Sequence, residues 1–192
     1  AAAGESVCLH APTGSGKTLA MLLPSLFGTF WSDRDEPGAL LVVVPSRELA
    51  TQHARLAEQL LGHAPTCVTT STTGDEAGLA RGAEALETAR CVVATPRELC
   101  KALEHQPDLY VDFASRIQAL VLDELDLLMP RRKYTGARET RWQDKGQHPT
   151  EGLAKLVAKR ASQYLQVLAG SATLDKDAKK KLERCLKGSL VD

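Results

Sequence analysis

The stretch "CLHAPTGSGKT", residues 8–18, carries the residue types of a phosphate-binding loop. Gly14 and Gly16 allow the backbone to bend and to approach an anion closely, and free N–H groups at the start of the following helix point at phosphates. Lys17 is placed to reach the terminal phosphates, and the Thr18 hydroxyl suits Mg²⁺. The stretch predicts a nucleotide site formed by the following loop residues: Ala11, Thr13, Gly14, Ser15, Gly16, Lys17 and Thr18.

A second stretch, "ALVLDELDLL", supplies the carboxylates that such a loop needs. Asp123 follows four apolar residues, where a strand end presents a carboxylate to Mg²⁺ beside Thr18. Glu124 comes next and is placed to orient or deprotonate a water molecule. We therefore predict Glu124, Lys17 and Asp123 as catalytic residues, with Thr18 and Asp123 as Mg²⁺ ligands. The paired acids favour ATP hydrolysis over transfer to a small-molecule acceptor.

The elements that position these residues alternate along the 192-residue chain. Apolar runs such as "ALLVVV" lack the alternation of a half-exposed strand and are typical of strands buried on both faces of a parallel sheet. Helices are expected over 47–61, 77–89 and 96–105. Alternating strands and helices predict an α/β fold with a doubly wound, mostly parallel sheet. The predicted strands are Val7–His10, Ala39–Val44, Thr66–Thr70, Arg90–Ala94, Gln118–Leu122 and Tyr164–Ala169.

Composition narrows the class of protein. No apolar run approaches the length of a membrane span, so no membrane partner is expected. The five cysteines are odd in number and lack C-x-x-C spacing, which favours a reducing, intracellular setting. Cytoplasm, nucleolus and mitochondrion are not distinguished. The net charge of zero hides a split: residues 1–129 carry an acidic excess of eight, and residues 130–192 a basic excess of eight.

Much of that basic charge lies in a polar stretch, residues 130–152, which is expected to be a surface loop or insertion. Cations beside aromatic residues suit single-stranded RNA, through phosphate pairing and base stacking. A solvated insertion and a contact for a protein partner remain open alternatives. The candidate contacts are Arg131, Arg132, Lys133 and Trp142.

Five stretches, in order, resemble the motifs of the DEAD-box RNA helicases. They are "APTGSGKT" (11–18), "VPSRELATQ" (44–52), "ATPREL" (94–99), "DELD" (123–126) and "SAT" (171–173). The resemblance implies one RecA-like, ATP-binding domain over residues 1–192 with a basic insertion at about 130–152. It also implies an adenine-reading segment upstream and a second RecA-like domain, neither within this sequence, and little hydrolysis without that second domain.

The resemblance also assigns roles to further residues. Those around the second and third motifs line the RNA path, and those of the last two couple phosphate chemistry to RNA. One departure stands out: Glu98 occupies the place where the family has an arginine, and Arg97 the place of a glycine. The RNA-binding candidates are Pro45, Arg47, Thr95 and Arg97, and the coupling candidates are Asp126, Ser171 and Thr173.

The leading hypothesis is therefore an ATP-dependent RNA helicase or RNA-remodelling ATPase, with ATP and Mg²⁺ as cofactors and RNA as partner. The alternative is a helicase-derived ribonucleoprotein assembly factor, for the ribosome among other particles, that binds nucleotide and assembly proteins but unwinds little. A small-molecule kinase would leave "SAT" and "PSRELA" unexplained.

Overall fold

A computed structural model of the chain describes residues 5–27, 38–62, 66–68, 86, 88–105, 107–131, 146–161, 165–173, 176–188 and 190–191. Their strands form one six-stranded sheet, in the order β1-β6-β5-β2-β4-β3, and every neighbouring pair is parallel. The prediction of a doubly wound parallel sheet is confirmed. The strands are β1 (Val7–His10), β2 (Ala39–Val43), β3 (Thr66–Val68), β4 (Cys91–Ala94), β5 (Ile117–Asp123) and β6 (Gln166–Ser171).

Helices cover both faces of the sheet. They are α1 (Lys17–Phe27), α2 (Arg47–Leu61), α3 (Pro96–His105), α4 (Pro107–Arg116), the short α5 (Leu125–Leu128), α6 (Pro149–Arg160) and α7 (Lys176–Leu186). Among the described helices, none is both long and apolar enough to cross a membrane.

The central strand β2 shows how the two faces are packed. All of its residues are buried, as expected of a strand between two layers of helices. Leu40 and Val42 pack on one face, in a cluster with apolar residues of α1 and α2. Leu41 and Val43 pack on the other, with residues of α3, α4, α6 and α7. The side-chain period of two along a strand produces this division.

Strand boundaries agree with the predictions to within two residues where the structure describes them. The largest difference is in the last strand, which was expected over 164–169 and extends over Gln166–Ser171. Gly170 and Ser171 have low strand propensity, but they pair with Leu9 and His10 of β1. Tertiary pairing therefore overrides local preference there. Residues 69–70 of the predicted third strand lie outside the described residues.

The prediction of a loop over residues 130–152 was wrong at its end, because α6 begins at Pro149. His148 caps the helix: its ring accepts from the Thr150 N–H, and its own N–H donates to the Glu151 carboxylate. Burial, together with the positive charge of Lys181, lowers the pKa of His148, which favours the neutral ring that can accept this bond. The sequence pattern of a capping box has serine or threonine at the N-cap, so a box that begins with histidine was not recognised in the sequence.

We expect Phe113→Ala to lower the free energy of unfolding by about 3–5 kcal/mol, because it empties a large volume in the core. Phe113 is 1% exposed, in the cluster that joins α4 to the sheet. Urea denaturation measures the loss. The control is Phe27→Ala: Phe27 is 59% exposed, so its loss should stay within about 0.5 kcal/mol. Equal losses in the two variants would contradict this packing.

Candidate functional site

The five motif stretches meet at one edge of the sheet. Each follows the carboxyl end of a strand: the glycine-rich loop follows β1, and the others lie at the ends of β2, β4, β5 and β6. In parallel α/β sheets this edge is where ligands bind. The nucleotide candidates lie at β1, β6 and β5, and the RNA candidates at β2 and β4. The strand order therefore divides the edge into two halves that join at β5.

The glycine-rich loop has the backbone that its glycines predict. Gly14 and Gly16 adopt φ values of 78° and 88°, which residues with a Cβ rarely adopt. The loop is exposed from residue 12 to 16, whereas Lys17 is buried at the start of α1. The Lys17 ammonium donates to the carbonyl oxygens of Ala11 at 2.7 Å and Pro12 at 2.9 Å. The cation thus lies within its own loop, where an anion can reach it.

The Asp123 carboxylate joins three elements. Its Oδ2 accepts from the Thr18 hydroxyl at 2.6 Å and lies 2.8 Å from Nε2 of His53, while its Oδ1 accepts from the Glu124 N–H at 3.0 Å. Burial of this residue opposes ionisation, but the hydrogen bonds from His53 and Thr18 outweigh it and hold the pKa of Asp123 below its usual value. Asp123 is therefore ionised under ordinary conditions, as a metal ligand must be.

Glu124 has the opposite environment. Partial burial and the adjacent negative charge of Asp123 raise its pKa. Neighbouring carboxyl groups whose pKa values move apart are typical of sites where one acid binds and the other exchanges protons. The Glu124 backbone is left-handed, with φ 59° and ψ 57°, at the N-cap of α5. Such a conformation costs a residue other than glycine about 1–3 kcal/mol.

Thr18 and Asp123 fit a Mg²⁺ ion by their chemistry. They present two oxygen atoms 2.6 Å apart, and Mg²⁺ is commonly held by one or two protein oxygens together with substrate phosphates and water. Among the described residues, no group of three or more histidine, cysteine or acidic side chains could form a metal cage. The donor set therefore suits a metal that arrives with a nucleotide.

His53 was not predicted as a site residue. It lies on α2 and is 5% exposed; Nδ1 is 2.9 Å from the carbonyl oxygen of Leu49. The buried residues of α2 are Ala50, His53 and Ala57. Their spacing of three and four residues is a usable signal, because a histidine between two buried alanines needs a polar partner.

Gly170 approaches the Asp123 carboxylate closely. A Cβ added at Gly170 would lie 2.6 Å from Cε of Met21 and 3.1 Å from Oδ1 of Asp123. Glycine at this position in β6 therefore leaves room for the carboxylate. This requirement was also missed, since nothing in the sequence shows which side chain faces a given glycine.

The three coupling candidates are in contact. The Thr173 hydroxyl donates to Oδ2 of Asp126 at 2.8 Å, and the Ser171 hydroxyl donates to the Thr173 carbonyl oxygen at 2.7 Å. Oδ1 of Asp126 is buried without a hydrogen-bond partner among the described residues. The segment after β6 is thus joined to α5 by these hydrogen bonds.

The RNA candidates meet at a cavity of about 360 Å³ on the other half of the edge. Proline, leucine and histidine side chains from α5 and α6 form its opposite wall. The cavity combines apolar surface with the two cations Arg47 and Arg97. It is lined by Pro45, Ser46, Arg47, Thr95, Pro96, Arg97, Glu98, Leu127, Leu128, His148 and Pro149.

Glu98 lies between the RNA candidates. Its Oε1 accepts from Nε of Arg47 at 2.6 Å, and its Oε2 accepts from the Thr95 hydroxyl at 2.9 Å. The Arg47 side chain is 61% exposed, whereas that of Glu98 is 5% exposed. Two groups expected to contact RNA are thus bound to a carboxylate of the same chain.

Most of the basic insertion lies outside the described residues, including Arg132, Lys133 and Trp142. Arg131 is described: its Nε lies 3.4 Å from a carboxylate oxygen of Asp177, and both side chains are largely exposed. An exposed pair of this kind contributes little to stability, about 0–1 kcal/mol. The role of the insertion stays a prediction.

Comparison with known proteins agrees with this geometry. The family model for the DEAD/DEAH box helicase matches residues 1–181. The chain belongs to this family. The DEAD/DEAH box assignment places the glycine-rich loop, the "DELD" segment and the "SAT" segment within a single matched region.

Two curated relatives illustrate the similarity of this DEAD/DEAH box chain. The ATP-dependent RNA helicase DBP7 of Gibberella zeae is 36% identical over 129 residues, which is 63% of this chain and 17% of the relative. The DEAD-box ATP-dependent RNA helicase 51 of Arabidopsis thaliana is 36% identical over 132 residues, 66% of this chain and 22% of the relative. The chain thus spans about a fifth of the length of these relatives.

Solved structures share the fold. The DEAD-box helicase Mss116 bound to ssRNA and UDP-BeF has a TM-score of 0.67 at 25% identity, covering 95% of this chain and 35% of that one. The DUF1998 helicase MrfA bound to DNA and AMPPNP has a TM-score of 0.71 at 21% identity, covering 99% and 25%.

We expect His53→Ala to lower the free energy of unfolding at pH 7 by about 1–3 kcal/mol, because a buried carboxylate loses a donor. An aspartate with a lowered pKa stabilises the fold above its unfolded value of 3.8. Without His53 the burial of Asp123 dominates and its pKa rises. The loss of free energy of unfolding relative to wild type should therefore shrink as the pH falls through that raised pKa, because a protonated carboxyl needs fewer hydrogen-bond donors.

Urea denaturation at several pH values measures this deficit. His10→Ala is the control, since His10 is exposed at the end of β1. A deficit that is independent of pH would assign His53 a packing role alone.

Proposed function

We propose that this chain binds Mg²⁺-ATP at the β1, β5 and β6 half of the sheet edge and hydrolyses it while acting on RNA. The observation that carries the proposal is the 2.6 Å hydrogen bond from the Thr18 hydroxyl to Asp123. Asp123 is the residue directly before Glu124. Together these residues join the phosphate loop to two carboxylates of different basicity. Such a set serves phosphoryl transfer, where positioning and charge stabilisation account for most of the catalysis.

The nucleotide phosphates would lie against the exposed loop of residues 12–16. Backbone N–H groups at the start of α1 face this position, and the dipole of α1 favours anions at its N-terminal end. Lys17 would exchange its bonds to two loop carbonyls for bonds to phosphate oxygens. Thr18 and Asp123 would hold the Mg²⁺ ion, which supplies charge stabilisation for the terminal phosphate when bound.

Glu124 is the base in this proposal. Its raised pKa makes it a better proton acceptor than an ordinary glutamate, while it stays ionised above that pKa. It would orient a water molecule and take its proton as the water oxygen bonds to the terminal phosphorus. The bond from that phosphorus to the bridging oxygen breaks in the same step, and ADP leaves with the bonding electron pair. The strained backbone at Glu124 fits this role, because strain persists at sites where geometry is selected for function.

RNA is the proposed partner at the β2 and β4 half. The cavity with Arg47 and Arg97 supports this role, and so does the structural likeness to Mss116, which was solved with ssRNA. The Asp126–Thr173 contact joins the segments that follow β5 and β6, and the resemblance to the helicase family assigns these residues to the coupling of the two activities.

A second candidate function rests on a specific observation. Glu98 is paired with Arg47 and Thr95, which weakens the case for strong RNA binding at this surface. A ribonucleoprotein assembly factor that binds ATP and protein partners but unwinds little would tolerate this pairing. RNA-stimulated ATP turnover separates the two functions: a helicase shows it, and such a factor shows little.

We expect Lys17→Ala to weaken ATP binding at least tenfold, because each charge-assisted hydrogen bond to a phosphate contributes about 1.5–3 kcal/mol. Isothermal titration with Mg²⁺-ATP measures the affinity. Lys180→Ala is the matched control, since Lys180 is exposed on α7, away from the loop. Equal affinities for wild type and Lys17→Ala would remove the loop from nucleotide binding.

We expect Glu124→Gln in the full-length protein to bind ATP with unchanged affinity and to hydrolyse it about 10²–10⁴-fold more slowly, the usual contribution of a general base. Phosphate release with single-stranded RNA present measures the rate. Glu58→Gln, which makes the same change at an exposed position on α2, is the control. Turnover of the glutamine variant at the wild-type rate would overturn the role of Glu124.

A further inference from the structure

Glu98 has an environment that its surface location does not explain. It lies in the first turn of α3, beside a cavity, yet only 4% of the residue is exposed. Both carboxylate oxygens have partners: the Arg47 guanidinium on one and the Thr95 hydroxyl on the other. Its backbone N–H faces the same hydroxyl at 3.4 Å. The carboxylate is therefore held at a defined position.

The donors that hold Glu98 are of the kind that bind phosphate. A guanidinium and a hydroxyl that converge on an anion from two sides are common contacts to the nucleic-acid backbone. Here they converge on a carboxylate, whose two oxygens are spaced like two of the oxygens of a phosphate. The Thr95 hydroxyl has one hydrogen, which is committed to Glu98, so it has none to offer a second acceptor.

The charged residues that line the cavity also indicate that Glu98 occupies a place suited to phosphate. Arg47 and Arg97 line it, and the buried carboxylate offsets one of the two positive charges. Breaking the Arg47 contact without replacement would leave a poorly solvated carboxylate, which is costly. A phosphate that approaches Arg47 must therefore compete with an anion already in contact with it.

Resting on the proposed RNA function, we propose that Glu98 is a specificity-determining residue that competes with RNA phosphate for Arg47 and Thr95. This internal competitor weakens phosphate binding at the β2 and β4 half. Only an RNA that gains enough contacts elsewhere on the protein displaces it. The surface thereby selects against short or isolated single strands.

The test is the Glu98→Gln variant, which keeps the size and the hydrogen-bonding atoms of the side chain and removes its charge. Binding of a fluorescent oligouridine is measured by anisotropy over a salt titration, with Mg²⁺ and AMP-PNP present. We expect affinity to rise by about tenfold, the lower end of what one charge-assisted hydrogen bond contributes. The salt dependence should steepen by about 0.7 log units per log unit, the value for one phosphate contact with a single strand.

Two further variants separate this effect from others. Glu58→Gln removes the same charge at an exposed position near the other end of α2 from Arg47, and should leave the slope unchanged. In an Arg47→Gln background, Glu98→Gln should no longer steepen the slope, because no cation is released. The AMP-PNP affinity of each variant reports that the fold is intact.

Each outcome decides the inference. If the Glu98→Gln variant binds RNA with the affinity and salt dependence of the wild type, the inference is overturned and the proposed RNA function stays in place. A steeper slope that persists without Arg47 also overturns it, since the released cation would be another one. If all variants bind AMP-PNP and none binds RNA down to low salt, the RNA part of the proposed function fails, and this inference fails with it.

Discussion

The carboxylate of Asp123 is the point on which the site depends. It ends the central strand β5 and is bonded to the first turn of α1 through Thr18, to α2 through His53 and to its own chain at Glu124. An unpaired ion at this depth would not persist, because burial favours its neutral form. The three bonds reverse that preference. They therefore serve the fold and the chemistry together: the contacts that keep Asp123 charged also set the distance between the loop and the end of the strand.

The helix α2 extends this constraint across the sheet edge. It begins with Arg47 at the cavity and carries His53 to Asp123, so a single rigid element touches both halves. The two residues are six positions apart, about 9 Å along the axis. Ser46 caps one end, and Gly62, with φ 73°, ends the other. Helix α2 is therefore in direct contact with both candidate sites.

The sequence alone was sufficient for the fold class and for the helices and strands that carry the motifs. Buried parallel strands have a strong pattern, and "ALLVV" in β2 is buried throughout, as its composition predicts. The catalytic candidates could be placed at strand ends for the same reason. What the sequence could not supply was the partner of each polar group. His53 and Gly170 depend on residues 70 and 47 positions away that they meet only in the folded chain.

Glu98 illustrates the limit most clearly. The sequence shows an acidic residue where the family has an arginine, and a carboxylate at that place would by its charge alone repel a phosphate. The structure instead shows the acid buried and bonded to two of the expected RNA contacts. The two situations differ, because Arg47 and Thr95 can be released from Glu98 and then donate to another acceptor. Only the distances between α2, α3 and the end of β4 distinguish the two.

The order of strands also has a consequence for synthesis of the chain. Strand β1, which leads into the phosphate loop, pairs within the described sheet only with β6, whose residues follow it by about 160 positions. Pairing over such a separation is slow, because the intervening chain loses entropy in closing the loop before the strand contacts contribute any stabilising free energy. As the ribosome extends the polypeptide, the glycine-rich loop is synthesised well before β6, the strand that pairs with β1. A nascent chain that stops before residue 166 holds every residue of the loop but lacks β6, so the pairing of β1 with β6 forms only when translation of this region is nearly complete.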